Sequence, residues 1–311
     1  MVFDVPSSDD FFQMGNSLIH SAWDSLVQLQ KEYEEHLEFS SDSEFELKYL
    51  EHSKPVLMSA FTLVQQAVEF FLKGRIADVS PYILIANDGR SWPKKADKTD
   101  ISFMDFRTID AQDLIKIHNT FREERLDDGF TTWFNQMRNI RNKIIHSVNA
   151  KNSIQPPELA NAILTAHEYF FGCQGWIDSR FEYHSKLPSN DLQLLDKEEL
   201  EGYRYFEVHE ELSLVINALP PSHVKRFFGF NPKSKSFECN YCEAKFNQIY
   251  FYEAERWKRH NIDTLIKSSD NNFTYNCFVC GHSLEILNAS CVDCREIKIN
   301  KENGKCIWCD A

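Results

Sequence analysis

Eight cysteines towards the end of the chain are spaced for metal chemistry. Four Cys-x-x-Cys pairs stand at Cys239/Cys242, Cys277/Cys280, Cys291/Cys294 and Cys306/Cys309. Each pair can fold as a knuckle that presents two thiolates about one tetrahedral edge apart, so eight thiols complete two four-sulfur zinc sites. The gaps of 34, 10 and 11 residues between pairs allow sequential sharing, first pair with second and third with fourth, or a nested arrangement around the second and third; the sequential one is preferred. With no ligand position left open, both zinc ions are expected to be structural and neither catalytic. A disulfide framework is the competing reading, and the absence of a secretory signal argues against it.

A second constellation lies in Met137-Arg138-Asn139-Ile140-Arg141-Asn142-Lys143-Ile144-Ile145-His146. Histidine exchanges protons near neutral pH, and arginine supplies a fixed, planar cation for phosphate oxygens. An RNA strand carries its own nucleophile in the 2′-hydroxyl, so these two groups suffice in principle for strand cleavage without a metal. Arg141 and His146 fall about 140° apart on an ideal helix. Their convergence therefore needs a deformed helix end, a long reach by the arginine, or a second copy of the chain.

The elements that must position these residues are mostly helical. One helix is expected from about Asp9 to Phe39, behind the capping residues Ser7 and Ser8. A second is expected to start near Pro55 and to carry Leu57, Phe61, Val64, Val68 and Phe71 as one stripe before Gly74, with Glu69 and Lys73 on its polar side. Pro81, Asn87-Asp88-Gly89 and Trp92-Pro93 mark residues 78–110 as a loop-rich insertion. A short helix over 110–126 precedes the strongest stripe in the chain: Phe130, Trp133, Phe134, Met137, Ile140, Ile144 and Val148. A further helix follows Pro156-Pro157 to about Ile177. The fold expected is mainly α: a helical bundle over 1–180, a helical connector over 181–236 whose last helix spans about Glu207 to Ala218, and a small α+β zinc module over 237–311. Strands are expected around Phe273–Tyr275 and Glu296–Ile299.

Composition agrees with a folded protein: 42% hydrophobic and 14% aromatic residues in 311, with 25 Phe. The net charge of −13 is unevenly spread, since residues 221–311 carry 13 Lys+Arg against 11 Asp+Glu and the first 220 carry 21 against 36. Bulk electrostatic capture of nucleic acid by the helical part is thereby disfavoured, although Arg138, Arg141, Lys143 and Lys151 form a local basic patch. In the zinc module, Lys225, Arg226, Lys233, Lys235, Arg256, Lys258 and Arg259 with Phe227, Phe228, Tyr250, Phe251, Tyr252 and Trp257 would suit RNA; the competing reading makes the aromatics its small core and the charges solvated. An acidic N-terminus and the lack of a run approaching about 18 apolar residues lead to the expectation of a cytoplasmic protein. Cys173 reads as a buried thiol.

The segment Arg141-Asn142-Lys143-Ile144-Ile145-His146 resembles the signature of the HEPN superfamily: Arg, a polar residue, three further residues, then His. Gln65 to Lys73 is similar to the preceding HEPN helix, and the resemblance spans roughly residues 10–180, with an insertion at 78–110 longer than in minimal members. It implies a homodimer whose motifs face one another, RNA cleavage leaving a 2′,3′-cyclic phosphate, and a role as a toxin or antiviral defence effector with an inhibitor or trigger protein as partner. It further implies His146 as acid/base, Arg141 as phosphate stabiliser and Asn142 as orienting residue, with Arg138, Glu69 and Lys73 as supporting candidates. The same superfamily includes non-catalytic modules that bind RNA, a nucleotide or a protein.

Overall fold

The structure, a computed structural model, describes every residue except 38–42, 87–88, 90–91, 95, 147–153, 173–174, 187–196, 234–235, 249–261, 269–272, 296–298, 303 and 308–311. Phe39, Asn87, Asp88, Val148, Lys151, Cys173, Lys235, Cys309 and the run from Tyr250 to Arg259 therefore lie outside the described residues. The chain divides into two compact units, Met1–Phe170 and Phe171–Ala311.

In the first unit, α1 (Ser8–Leu37) and α2 (Ser43–Ala77) form the principal pair. Ser7 opens α1 as a capping box: its hydroxyl accepts from the Asp10 amide at 3.2 Å, and the Asp10 carboxylate accepts from the Ser7 amide at 2.8 Å. Buried Phe11, Gly15, Ile19, Trp23 and Leu26 of α1 recur at three- and four-residue spacing, as do Leu57, Phe61, Val64, Val68 and Phe71 of α2, so two long apolar seams meet. Glycine sets how closely: a Cβ on Gly15 would stand 2.5 Å from the Phe71 ring, and one on Gly74 would stand 2.9 Å from Phe12.

Helix α2 does not begin at Pro55, which lies inside it, nor end at Gly74. Tertiary contact overrides the local break, because Tyr49, before the proline, packs its ring 5.1 Å from that of Tyr33 and donates its hydroxyl proton to the Leu29 carbonyl. Within α2, Lys48–Ala77 is long and apolar enough to cross a membrane by composition, contrary to the reading of the sequence, but half of that window is buried in the fold. A core helix meets the same description.

The helices α3 (Ala111–Phe121), α4 (Asp128–His146) and α5 (Pro156–Phe171) complete this unit. An aromatic joint fixes α4: Phe130 lies 4.9 Å from Tyr169 and 5.8 Å from Phe170, and Phe170 lies 5.0 Å from Phe71 of α2. The described residues of 78–110 include the short 3-10 turns Pro81–Leu84 and Phe103–Asp105 and the strand β2 (Ile101–Ser102), which pairs in parallel with β1 (Val2–Phe3). Helix α5 stops at Phe171, short of Ile177, and Gly172 follows at φ 92°.

In the second unit, α6 (Trp176–Ser185) and α7 (Lys197–Ala218) pack together, and α8 (Pro221–Phe228) ends on Gly229 in the left-handed conformation. Helix α7 also packs on α9 (Asn240–Phe246), with the Phe206 and Phe246 rings 5.9 Å apart and the Lys245 ammonium 2.8 Å from Glu201. The stretch 181–236 is accordingly not a separate connector. It shares one compact unit with the cysteine module, and Phe206 with Tyr203 packs on Phe246 of α9, giving the small module apolar surface it lacks on its own. A five-stranded antiparallel sheet runs β3 (Ser236–Phe237), β4 (Leu265–Lys267), β5 (Thr274–Cys277), β6 (Ser283–Leu287) and β7 (Ile299–Asn300), in that spatial order. Alternation along β6, with Leu284 and Ile286 buried between exposed neighbours, marks a sheet covered on one face.

Candidate metal centre and candidate phosphodiester site

Two cysteine clusters are positioned to hold metal ions. Cys239, Cys242, Cys277 and Cys280 place all four sulfurs within 4.8 Å of one another. The Cys239–Cys280 and Cys242–Cys277 separations are 3.8 and 3.7 Å, against about 3.8 Å for the edge of a tetrahedron with 2.3 Å zinc–sulfur bonds. The donor set thus fits zinc in size and chemistry. Cys239 ends β3's approach and caps α9, which carries Cys242; Cys277 closes β5, and Gly281 at φ 71° turns the chain so that its amide reaches the Cys277 carbonyl at 3.0 Å.

Around this cluster the remaining sulfur lone pairs are oriented. The Cys280 amide donates to Cys277 Sγ and the His282 amide to Cys280 Sγ, each at 3.4 Å. The fully buried Thr264 places Oγ1 at 3.1 Å from Cys277 Sγ, where its hydroxyl can donate to a thiolate. Crowding makes the four thiols unequal: hydrogen bonds from Cys239 and Cys242 hold the Cys277 thiol below its ordinary range, and Cys242, hydrogen-bonded to Cys239 and Cys277, is pushed above it. An ion replaces those shared protons, so metal uptake here releases them.

The second cluster contains Cys291, Cys294 and Cys306, also within 4.8 Å of one another, with 3.6 Å between Cys294 and Cys306. Cys309, the fourth thiol by sequence, lies outside the described residues. Sharing is sequential, and the nested alternative is excluded because the second and third pairs belong to different clusters.

The other constellation occupies the last turns of α4. Phe130, Phe134 and Met137 are buried, whereas Ile140 and Ile144 are only partly so, and His146 is the exposed last residue of the helix. Arg141 is half-buried. Its Nη1 donates to Asn142 Oδ1 at 3.3 Å, while its Nε is shielded from solvent and has no hydrogen-bond partner among the described residues. Arg141 and Asn142 are thus brought together. No hydrogen bond among the described residues joins either to His146, which stands about 7.5 Å further along the axis of an ideal helix.

The supporting candidates are engaged elsewhere. Arg138 lies over the Phe134 ring at 5.9 Å, Glu69 accepts from Gln65 Nε2 at 2.5 Å, and Lys73 Nζ sits 3.4 Å from Thr108 Oγ1. In the second unit Lys225, Arg226 and Lys233 are exposed, but Phe227 and Phe228 are buried, so those two rings are core.

One charged cluster escaped the sequence reading. Arg180 and His184, one turn apart on α6, meet Glu211 of α7: Arg180 Nη2 and Nε donate to the carboxylate at 2.5 and 2.9 Å, and His184 Nε2 lies 2.7 Å from it. All three are buried. Burial pushes the Glu211 carboxyl up, but the adjoining Arg180 and the His184 hydrogen bond hold it down to about 2. Only the four-residue spacing of Arg180 and His184 signalled it; the carboxylate arrives from 27 residues beyond.

No protein-family model matches the chain, and neither a curated protein nor a solved structure matches it.

Proposed function

We propose that the chain is a HEPN-type, metal-independent endoribonuclease, active as a homodimer and serving as a toxin or antiviral defence effector, with two structural zinc ions in its second unit. The observation that carries this reading is the intact Arg141-Asn142-x-x-x-His146 set at the solvent-exposed end of α4, with an arginine Nε that has no hydrogen-bond partner among the described residues. A shielded guanidinium N–H without an acceptor is costly, and a phosphate oxygen would satisfy it.

In this mechanism Arg141 binds a non-bridging phosphate oxygen and stabilises the charge that grows on the phosphorane. His146 removes the proton from the 2′-hydroxyl, and a protonated histidine returns one to the departing 5′-oxygen, leaving a 2′,3′-cyclic phosphate and a 5′-hydroxyl. Asn142, already bonded to Arg141, fixes the guanidinium plane. Because the two reacting side chains diverge on one helix, a facing copy of α4 supplies the complementary pair. Both zinc ions have fully protein-derived ligand sets in this reading and hold the fold only.

The alternative is a non-catalytic HEPN module that binds RNA, a nucleotide or a protein. It is favoured by the excess of acidic over basic residues in the first 220, 36 against 21.

Growth of cells expressing wild type, His146→Ala and Arg141→Ala, and incubation of each purified protein with total RNA in EDTA, decide between them. Cleavage and growth arrest by wild type alone are expected. Equal behaviour of the three proteins would replace the nuclease reading by the binding one.

A further inference from the structure

A cavity of about 730 Å³ opens on the sheet of the second unit, beside the start of α9. That is the size of an ordinary small-ligand cleft, roughly 300–1,000 Å³. One face of the sheet forms its floor. Phe237 stands opposite Leu265, Leu265 opposite Cys277, Tyr275 opposite Leu284 and Ile286 opposite Asn300. Residues two apart on a strand share a face, so Phe237, Leu265, Leu284 and Asn300 all point to the cavity side, and all four line it. Asn300 is only 2% exposed. Its Oδ1 accepts from the Glu302 amide at 2.9 Å, which settles the orientation of the carboxamide, and its Nδ2 has no hydrogen-bond partner among the described residues. Carboxylates line the other side, where β3 gives way to α9 and β4 begins: Glu238, Asp263 and Glu243, all exposed. Asp263 accepts from the Ser236 hydroxyl at 3.3 Å, and Glu243 has no ion-pair partner among the described residues.

We infer that this cavity binds an arginine side chain of a partner peptide, with the guanidinium against Asp263 and Glu243, the aliphatic stem along Phe237, Leu265 and Leu284, and a peptide carbonyl on Asn300 Nδ2. A donor on a side chain this buried is costly without an acceptor, and a carbonyl oxygen supplies one. The carboxylate rim selects a cation, and the planar fork of arginine can bridge two carboxylates while its stem covers apolar surface. Asn300 on β7 and Leu265 on β4 lie three strand positions apart, about 14 Å across a flat sheet. A free amino acid, whose two charges are joined through one carbon, cannot reach both ends; a long side chain on a peptide can. Lys305, which lines the cavity beside Asn300, repels a cation and so directs the guanidinium to the far side. Three carboxylates also repel phosphate, which disfavours RNA here. The inference goes beyond RNA cleavage and does not rest on it.

The test uses the full-length, zinc-loaded chain and isothermal titration calorimetry with an acetylated, amidated Gly-Gly-Arg-Gly-Gly peptide at low salt. The same peptide with citrulline, which keeps the shape of arginine without its charge, is expected to bind at least about tenfold more weakly. Glu243→Gln and Asp263→Asn, both on exposed positions, are each expected to weaken the arginine peptide several-fold at unchanged zinc content, and Lys305→Gln to strengthen it. Asn300→Asp, which keeps the acceptor for the Glu302 amide but has no N–H, is expected to weaken it about tenfold. No binding by the parent protein, equal affinity for the arginine and citrulline peptides, or undiminished affinity in Glu243→Gln and Asp263→Asn overturns the site whatever Asn300→Asp does to folding. Free L-arginine binding as tightly as the peptide, or oligouridine displacing the peptide, would overturn the peptide assignment in favour of a small molecule or of RNA.

Discussion

Replacing Glu211 by Gln would measure what the buried ion cluster contributes to the second unit. The carboxyl is held down to about 2 from an ordinary 4.5, burial opposing and Arg180 and His184 prevailing. At roughly 1.4 kcal/mol per pKa unit, that difference corresponds to about 3 kcal/mol of folding stability near neutral pH. The pKa is depressed in the folded state, so the contribution is complete above 4.5 and drains away as the pH falls towards 2. A second route gives the same scale: Arg180 is 1% exposed, and removing one partner of a buried pair costs about 3–5 kcal/mol. Urea denaturation at pH 7, followed by hydrogen exchange in peptides from α6 and α7, should therefore show these helices destabilised by about 3 kcal/mol, with Met1–Phe170 unaffected. Arg180→Met combined with Glu211→Leu should recover most of the loss, because no bare charge remains. A single-variant loss below about 1 kcal/mol, or a double variant no better than the single one, would refute the assignment.

Metal analysis should find about two zinc ions per chain, and Cys277→Ser should lose one of them together with protection of α9, since structural zinc contributes folding free energy directly; a chain free of metal with intact α9 would contradict this. His118 is buried and its ring is pushed below the usual histidine range by desolvation, with Arg75 and Arg122 adding to the effect. Its contribution is thus present above about 6.5 and lost as the pH falls through the lowered folded value, so exchange in α3 should quicken in acid, and His118→Gln should flatten that dependence. Gly15→Ala should cost about 1–3 kcal/mol in thermal or urea melts, because the new methyl meets the Phe71 ring at 2.5 Å; a neutral result would mean that α1 and α2 can move apart.

How legible these features were depended on range. The Cys-x-x-Cys spacing is local and points to both clusters, while the choice of sequential over nested pairing comes from the fold, which puts the second and third pairs in different clusters. Helix α4 was equally plain, because Phe130, Phe134 and Met137 repeat on one face. Pro55 misled because a proline at a helix start and one tolerated inside a helix look alike in sequence; the difference lies in Tyr49 finding Leu29 twenty residues away. The stretch 181–236 reads as a connector in sequence because α7 has no polar face to give it an amphipathic period: His209, Glu210 and Glu211 are buried like Leu212 and Val215. At the phosphodiester site the residue types were readable, but how Arg141 and His146 would converge was not, since a helix places them on different sides and only an assembly can answer it.

The packing of α7 against α9 would carry the influence of an ion in the first cysteine cluster far from the sulfurs. Cys239 starts the helix whose Phe246 and Lys245 rest on Phe206 and Glu201, and α7 in turn neutralises the charges of α6. Scarcity of zinc in a cell would therefore leave a helix that touches no ion without its seat, uncovering Phe206 to solvent and making the protease resistance of this half of the polypeptide follow the supply of the element.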